Sequence, residues 1–329
     1  MPFEIVSSSS RPVIAADQTI AGESGFGFEG GRVVRIGDTF HLMTTELVAE
    51  PLWSKTVFGH WQSTDGTDWT RVGSLLESSG DFSGKDRRGA YFSPMVIFDE
   101  LSDRWQLFYV SYRTSEGVAD RNHDGIIWRA QSSTDGINGI GGPYWDQDVV
   151  LRPGKDSQPW EGHQGTDSFF PYFAGGRWLG LYGSCDVENY PDCDWVVGLA
   201  SAAELTGEWE RSPEGNPIAA EPHFIENPVV TALDDGSFIA VYENDALDPN
   251  YARSIGVMSS SDGKSWVREQ PVTLGDADST WATRIRTPLS FIADGDSWIV
   301  FFTAFDDRGS LPGSPSFGNV GSIRVRRSV

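Results

Sequence analysis

The chain has 329 residues, 39% hydrophobic and 12% aromatic, with 37 glycines and 18 prolines, which is material for one large core. Its 47 acidic and 25 basic residues give a formal net charge of -22, which argues against a nucleic-acid partner, because such binders gather Lys and Arg on one face. No apolar run approaches the roughly 18 to 20 residues of a membrane-spanning helix, so no membrane partner is expected.

In chain order, the N-terminal MPFEIVSSSSRPVI has no charged region followed by an apolar one. That reads as a cytoplasmic protein, or as a secreted or periplasmic one if a leader was removed. A strand-like run, Phe3 to Val6, precedes five copies of one pattern: an opening residue, an apolar run, a tight turn and a second apolar run. The copies open at Glu29, Phe92, Asp167, Glu226 and Arg286, in steps of 63, 75, 59 and 60 residues. Strand-like runs, turn residues and the lack of any long stretch with helical spacing point to an all-β chain.

Five repeats of this size predict a single domain over residues 1–329, a five-bladed β-propeller of four-stranded antiparallel blades. The last copy ends in Gly321-Ser322-Ile323-Arg324-Val325, a third strand with no fourth after it. The N-terminal strand is therefore expected to complete the last blade and close the ring. Ser63-Thr64-Asp65-Gly66 before Trp69 and Ser260-Ser261-Asp262-Gly263 before Trp266 recur at one place in their blades, with weaker copies at Ser133 and Ser201. Asp-Gly supplies the positive φ of a tight turn and the Trp can pack between blades, so these boxes are read as structural.

The inner strand of every propeller blade lines the central channel, so the five opening residues converge. Glu29, Asp167, Glu226 and Arg286 would meet in one cavity, with Phe92 at the fifth place. Carboxylates facing one channel repel, which separates their pKa values; one can then donate a proton while another stays ionised. That is the apparatus of glycoside hydrolysis. A structural set of caps and ion pairs around Arg286 is the alternative.

Here the sequence resembles the five-bladed propeller glycoside hydrolases, including families 43, 32, 62, 68 and 117. Their acids come from blades one, three and four, the last in a Glu-x-Pro motif that Glu226-Asn227-Pro228 resembles. The resemblance implies that Glu226 is the general acid, Asp167 orients it and the sugar, and Glu29 is the base or nucleophile. These families typically carry Asp in blade one, often followed by Pro, whereas this chain has Glu29-Gly30-Gly31-Arg32, which also resembles the propeller phosphorylases of family 130. The implied activity is exo-acting hydrolysis of a terminal furanosidic sugar of a short oligosaccharide. A phosphorylase or transglycosylase, and a non-catalytic carbohydrate-binding propeller, are the competing readings.

Sugars also need flat walls. Phe28, Tyr91, Phe92, Trp160, Phe169, Phe170 and Trp281 lie near the opening positions, either to stack on a sugar or to pack between blades. His163 and His223 precede the third and fourth acids and can contact substrate or simply hydrogen-bond. Arg88, with Arg87 and Arg284, can face the pocket beside Arg286. No cofactor is required. Asp120, Asn122 and Asp124 resemble the first half of a calcium loop, although position twelve is Gln131, so a structural calcium is one option and a plain turn the other. Cys185 and Cys193 are the only cysteines and could form a disulfide across the third-blade loop.

Overall fold

The computed structural model describes residues 2–18, 27–48, 54–116, 122–185, 195–218, 225–244, 248–306 and 318–328. Asp120, Cys193 and His223 lie outside them. Among the described residues helix is confined to the short 3₁₀ turns Ala16–Gln18 and Ile137–Gly141. Everything else regular is antiparallel sheet.

Blade I is built from β2 (Phe28–Ile36), β3 (Thr39–Leu47), β4 (Thr56–Ser63) and β5 (Thr70–Glu77), each hydrogen-bonded to the next. Blade II follows the same order in β6 (Ala90–Asp99), β7 (Arg104–Thr114), β8 (Asn122–Asp135) and β9 (Tyr144–Leu151). In blade III the strands are β10 (Asp167–Ala174), β11 (Arg177–Cys185), β12 (Trp195–Ala202) and the short β13 (Glu210–Arg211). Blade IV runs β14 (Glu226–Ala232), β15 (Phe238–Glu243), β16 (Ser254–Ser260) and β17 (Val267–Arg268), with β18 (Val272–Thr273) also paired to β16.

Blade V joins the two ends of the chain. β19 (Arg284–Pro288) and β20 (Ile292–Asp294) both pair with β21 (Ser297–Phe305), which pairs with β22 (Gly318–Arg327), and β22 takes β1 (Phe3–Ser8) as its outer neighbour. The register Phe3↔Arg327 through Ser8↔Ile323 continues in Ser9 N–H to Ser322 O, 2.9 Å, and Val13 N–H to Val320 O, 2.8 Å. Blades V and I are joined directly by Val33 N–H to Leu289 O, 2.8 Å, and by a bridge between Gly27 and Gly318. The five-bladed, four-stranded propeller and its closure by the N-terminal strand are as the sequence predicts.

The core fills the wedges between blades, and the Ser-Asp-Gly-Trp boxes supply part of it. In the first box Asp65 Oδ1 accepts the N–H groups of Thr67 and Asp68 while Gly66, at φ 75°, donates to Ser63 Oγ at 2.8 Å. The second repeats this with Asp262, Gly263 and Ser260. Each turn then drives its Trp onto the preceding blade: Trp69 meets Phe301 at 5.4 Å and Trp266 meets Tyr172 at 6.2 Å, both edge to face. Trp209, from the weaker copy, sits against Phe108 of blade II and Phe169. Such pairs add about 0.5–1.5 kcal/mol beyond the area they bury.

Candidate active site

Each inner strand is broken by a β-bulge beside its opening residue. The register slips between Glu29 and Gly31, Phe92 and Met95, Asp167 and Phe169, Glu226 and Val229, and Ile285 and Pro288. In four blades the next residue has positive φ: Gly30 at 64°, Ser93 at 53°, Ser168 at 21° and Asn227 at 50°. Gly30 and Asn227 adopt that conformation readily, whereas Ser93 and Ser168 do so against preference. A bulge re-aims the side chain beside it, and here it turns Glu29, Asp167, Glu226 and Arg286 toward the axis, while Phe92 of blade II stays in an apolar cluster with Tyr112.

The re-aimed groups meet around one guanidinium. Arg286 Nη1 donates to Glu226 Oε2 at 3.1 Å and to Glu243 Oε1, while its Nε lies 3.4 Å from Glu29 Oε1. Thr287 Oγ1 is 3.0 Å from Glu29 Oε1 and 3.2 Å from Glu243 Oε2. Asn227 Nδ2 donates to Glu243 Oε2 at 3.2 Å, its Oδ1 held by Ser93 Oγ from blade II at 3.1 Å. Asp167 stands beside Glu226, and its Oδ1 accepts the Ser168 N–H at 2.7 Å.

Electrostatically the cluster differs from the ion pairs of Glu46 and Glu161. Glu46 has Arg71 to itself and Glu161 is matched by Arg211, whereas at the axis one guanidinium serves three carboxylates. Burial pushes Asp167 up to about 7, helped by the charge of Glu226 and opposed by the adjacent Tyr112 hydroxyl. Burial likewise raises Glu29 and, further, Glu243, with Arg286 opposing both. For Arg286 itself the surrounding carboxylates outweigh burial and hold the guanidinium protonated. Perturbed acids of this kind concentrate at functional sites.

Next to the acids, Gly31, Ser93, Ser168, Asn227 and Thr287 converge until only about 10 Å³ is left between them. That space takes at most one water.

The structure brings together Glu29, Asp167, Glu226 and Arg286, and for most of the aromatic candidates it shows the packing alternative. Arg88 points outward: Nη2 pairs with Asp146 at 2.7 Å, and the guanidinium covers the Trp128 ring at 4.5 Å. Tyr91 is packed between blades I and II, 5.9 Å from Phe58 and 5.1 Å from Tyr109. Phe92 is buried against Tyr112 at 5.9 Å. Trp160 covers the sheet of blade III, beside Gly198 and 5.3 Å from Tyr182. Phe169 is enclosed by Phe108 and Trp209, and Trp281 stacks on Phe302 with its indole N–H on Ser9 O. Phe28 and Phe170 are also core. Tyr91, Phe169 and Phe170 flank a bulge, keep the strand's alternation and pack between blades, where aromatic area is most completely buried.

His163 stacks on His123 at 5.0 Å, nearly parallel, where the loop before β10 meets β8. The expected calcium turn is strand from Asn122 onward: Asn122 Oδ1 accepts from Thr114 Oγ1, and Asp124 pairs with Arg113 at 3.1 Å. Among the described residues no group of three or more His, Cys, Asp or Glu is arranged to hold a metal. Cys185 ends β11 and is buried.

No protein-family model matches the sequence, and no curated protein matches it. Solved structures do. One described as a complex of BT0996 with RGII superposes with a TM-score of 0.72 at 14% identity, covering 99% of this chain and 93% of that one. A family 117 glycoside hydrolase, Zg3597 from Zobellia galactanivorans, gives 0.68 at 13% identity, over 97% and 90%. The α-L-arabinofuranosidase PaAbf62A from Podospora anserina, in complex with cellotriose, gives 0.67 at 12%, over 98% and 96%. This chain has the fold of the five-bladed propeller glycoside hydrolases.

Within that propeller, sequence reading misses Glu243, Thr287, Asn227 and Ser93. Glu243 had a signal: it ends the otherwise apolar β15 in register opposite Glu226, where the matching strands of blades I, II and III carry Thr45, Val110 and Gly183. Aligning the second strands of the repeats, and not only the first, would have exposed it.

Proposed function

We propose that this protein is a glycoside hydrolase that removes a terminal furanosidic sugar from a short oligosaccharide. The observation that carries the reading is the single guanidinium of Arg286 bound among Glu29, Glu226 and Glu243, with Asp167 beside Glu226. Action on a chain terminus is argued from the placing of these acids on the axis of a closed ring of blades. The furanosidic part is argued from the fold's likeness to an α-L-arabinofuranosidase.

In the proposed cycle Glu226 gives its proton to the leaving oxygen as the bond to the anomeric carbon breaks. Asp167 orients Glu226 and the sugar hydroxyls. Glu29 removes a proton from the attacking water, or attacks the anomeric carbon itself. Arg286 holds Glu29 and Glu226 in place and offsets the negative charge that they share.

Phosphorolysis is less well supported. It needs cations for phosphate, yet Arg88 is committed to Asp146 and Arg286 to three carboxylates. Turnover is expected without added phosphate.

Glu226→Gln tests the general acid. Turnover of a natural glycoside should fall by about 10²- to 10⁴-fold, and that of an aryl glycoside with an activated leaving group much less. Equal losses on the two substrates would remove Glu226 from that role.

A further inference from the structure

Thr287 reaches two carboxylates with one hydroxyl. Its Oγ1 lies 3.0 Å from Glu29 Oε1 and 3.2 Å from Glu243 Oε2, and a hydroxyl has one hydrogen to donate and lone pairs to accept with. Two ionised carboxylates would leave one contact as lone pair against lone pair, in a place where all three residues are buried. Both contacts become hydrogen bonds when Thr287 donates to one carboxylate and accepts from the other, which then carries a proton.

We propose that Glu29 and Glu243 hold one proton between them across Thr287, and that Glu243 is the positioning residue whose retention of it leaves Glu29 ionised. This rests on the glycosidase reading only where it gives Glu29 work to do. With the proton on Glu243, its Oε2–H donates to Thr287 and Thr287 donates to Glu29 Oε1. The reverse state shifts one hydrogen across each of the two bonds and leaves the net charge unchanged.

The surroundings fit a shared proton. The charged groups facing Glu243 are Arg286 from β19, Glu226 from β14 and Glu29 from β2, with Asp167 beyond Glu226. One cation cannot balance that many buried anions, and burial raises both Glu29 and Glu243. Asn227 Nδ2 and Arg286 Nη1 hold the Glu243 carboxyl in plane for Thr287, and Ser93 fixes the Asn227 amide so that its NH₂ faces Glu243.

Difference infrared spectroscopy on the whole protein reads the proton without any substrate, through the stretch of protonated carboxyl groups. At neutral pH, Glu243→Gln should lose one such band, because the amide imitates the proton-holding state. Thr287→Val, which keeps shape and removes the hydroxyl, should move the pH at which that band disappears by about one unit, and Thr287→Ser should leave it in place. Thr287→Val should also move the acid limb of the turnover profile to higher pH, because ionised Glu29 loses a hydrogen-bond donor, while Thr287→Ser should leave that limb in place. An unchanged band in Glu243→Gln, or a Thr287→Val spectrum that matches the parent, overturns the shared proton even where glycoside turnover is intact. Bands that behave as expected in a protein that cleaves no glycoside overturn the glycosidase reading instead.

Discussion

Asp167 carries the clearest pH consequence of any single residue in the site. An unfolded Asp releases its proton near pH 4, whereas folded Asp167 holds it to about 7. Between those values the folded state binds more protons, so this residue's contribution to stability falls as pH rises, and the full cost is present above about pH 7. At about 1.4 kcal/mol per pH unit that cost is at most of order 4 kcal/mol. Asp167→Asn should therefore gain stability on the parent from pH 5 to pH 8 in urea unfolding, while losing activity. Parallel stability curves for the two proteins would rule out a buried, proton-holding Asp167. An acid this costly to bury beside Glu226, on the axis it shares with Glu29 and Glu243, is the kind of perturbed group that concentrates at functional sites.

At the scale of the element, two devices recur and do different work. The bulge in each inner strand turns one residue to the axis, and the Ser-Asp-Gly-Trp box seats a Trp on the preceding blade. Trp266, buried against Tyr172 of blade III, is the cleanest case. Trp266→Ala should cost about 3–5 kcal/mol, read as a lowered Tm, without changing the turnover of the protein that remains folded. A loss of turnover at temperatures where the variant is fully folded would mean that the box reaches the site. The boxes were legible because Asp-Gly and Trp are strong local signals. Two of the bulges had a local signal, Gly30 and Asn227; Ser93 and Ser168 had none, since Ser rarely takes positive φ unless the surrounding sheet imposes it.

For the whole molecule, closure is the decisive event. β1 covers the outer edge of β22, so the first strand of the chain and the last share a blade. Removing residues 2–8 should leave the β22 edge unpaired, lower the Tm by several degrees and promote association on size-exclusion chromatography. An unchanged melt would show that the ring holds without this strand. Closure also serves the site, because blade V carries Arg286 and Thr287 and its contact with blade I brings them to Glu29.

The repeat period, the tight turns and the missing fourth strand at the C-terminus were in the sequence, because strand alternation and turn chemistry are local. They determined a five-bladed propeller and, through the opening positions, the meeting of Glu29, Asp167, Glu226 and Arg286. Only the tertiary structure decided which neighbours share that axis. Tyr91, Phe169 and Trp281 were as open to sugar stacking as to packing in the sequence, and the structure buries them in the core, where burying an aromatic ring is worth most. Glu243 and Thr287 looked unremarkable until register and ring closure set them against Glu29, because a contact between residues 29, 243 and 287 exists only once five blades are packed.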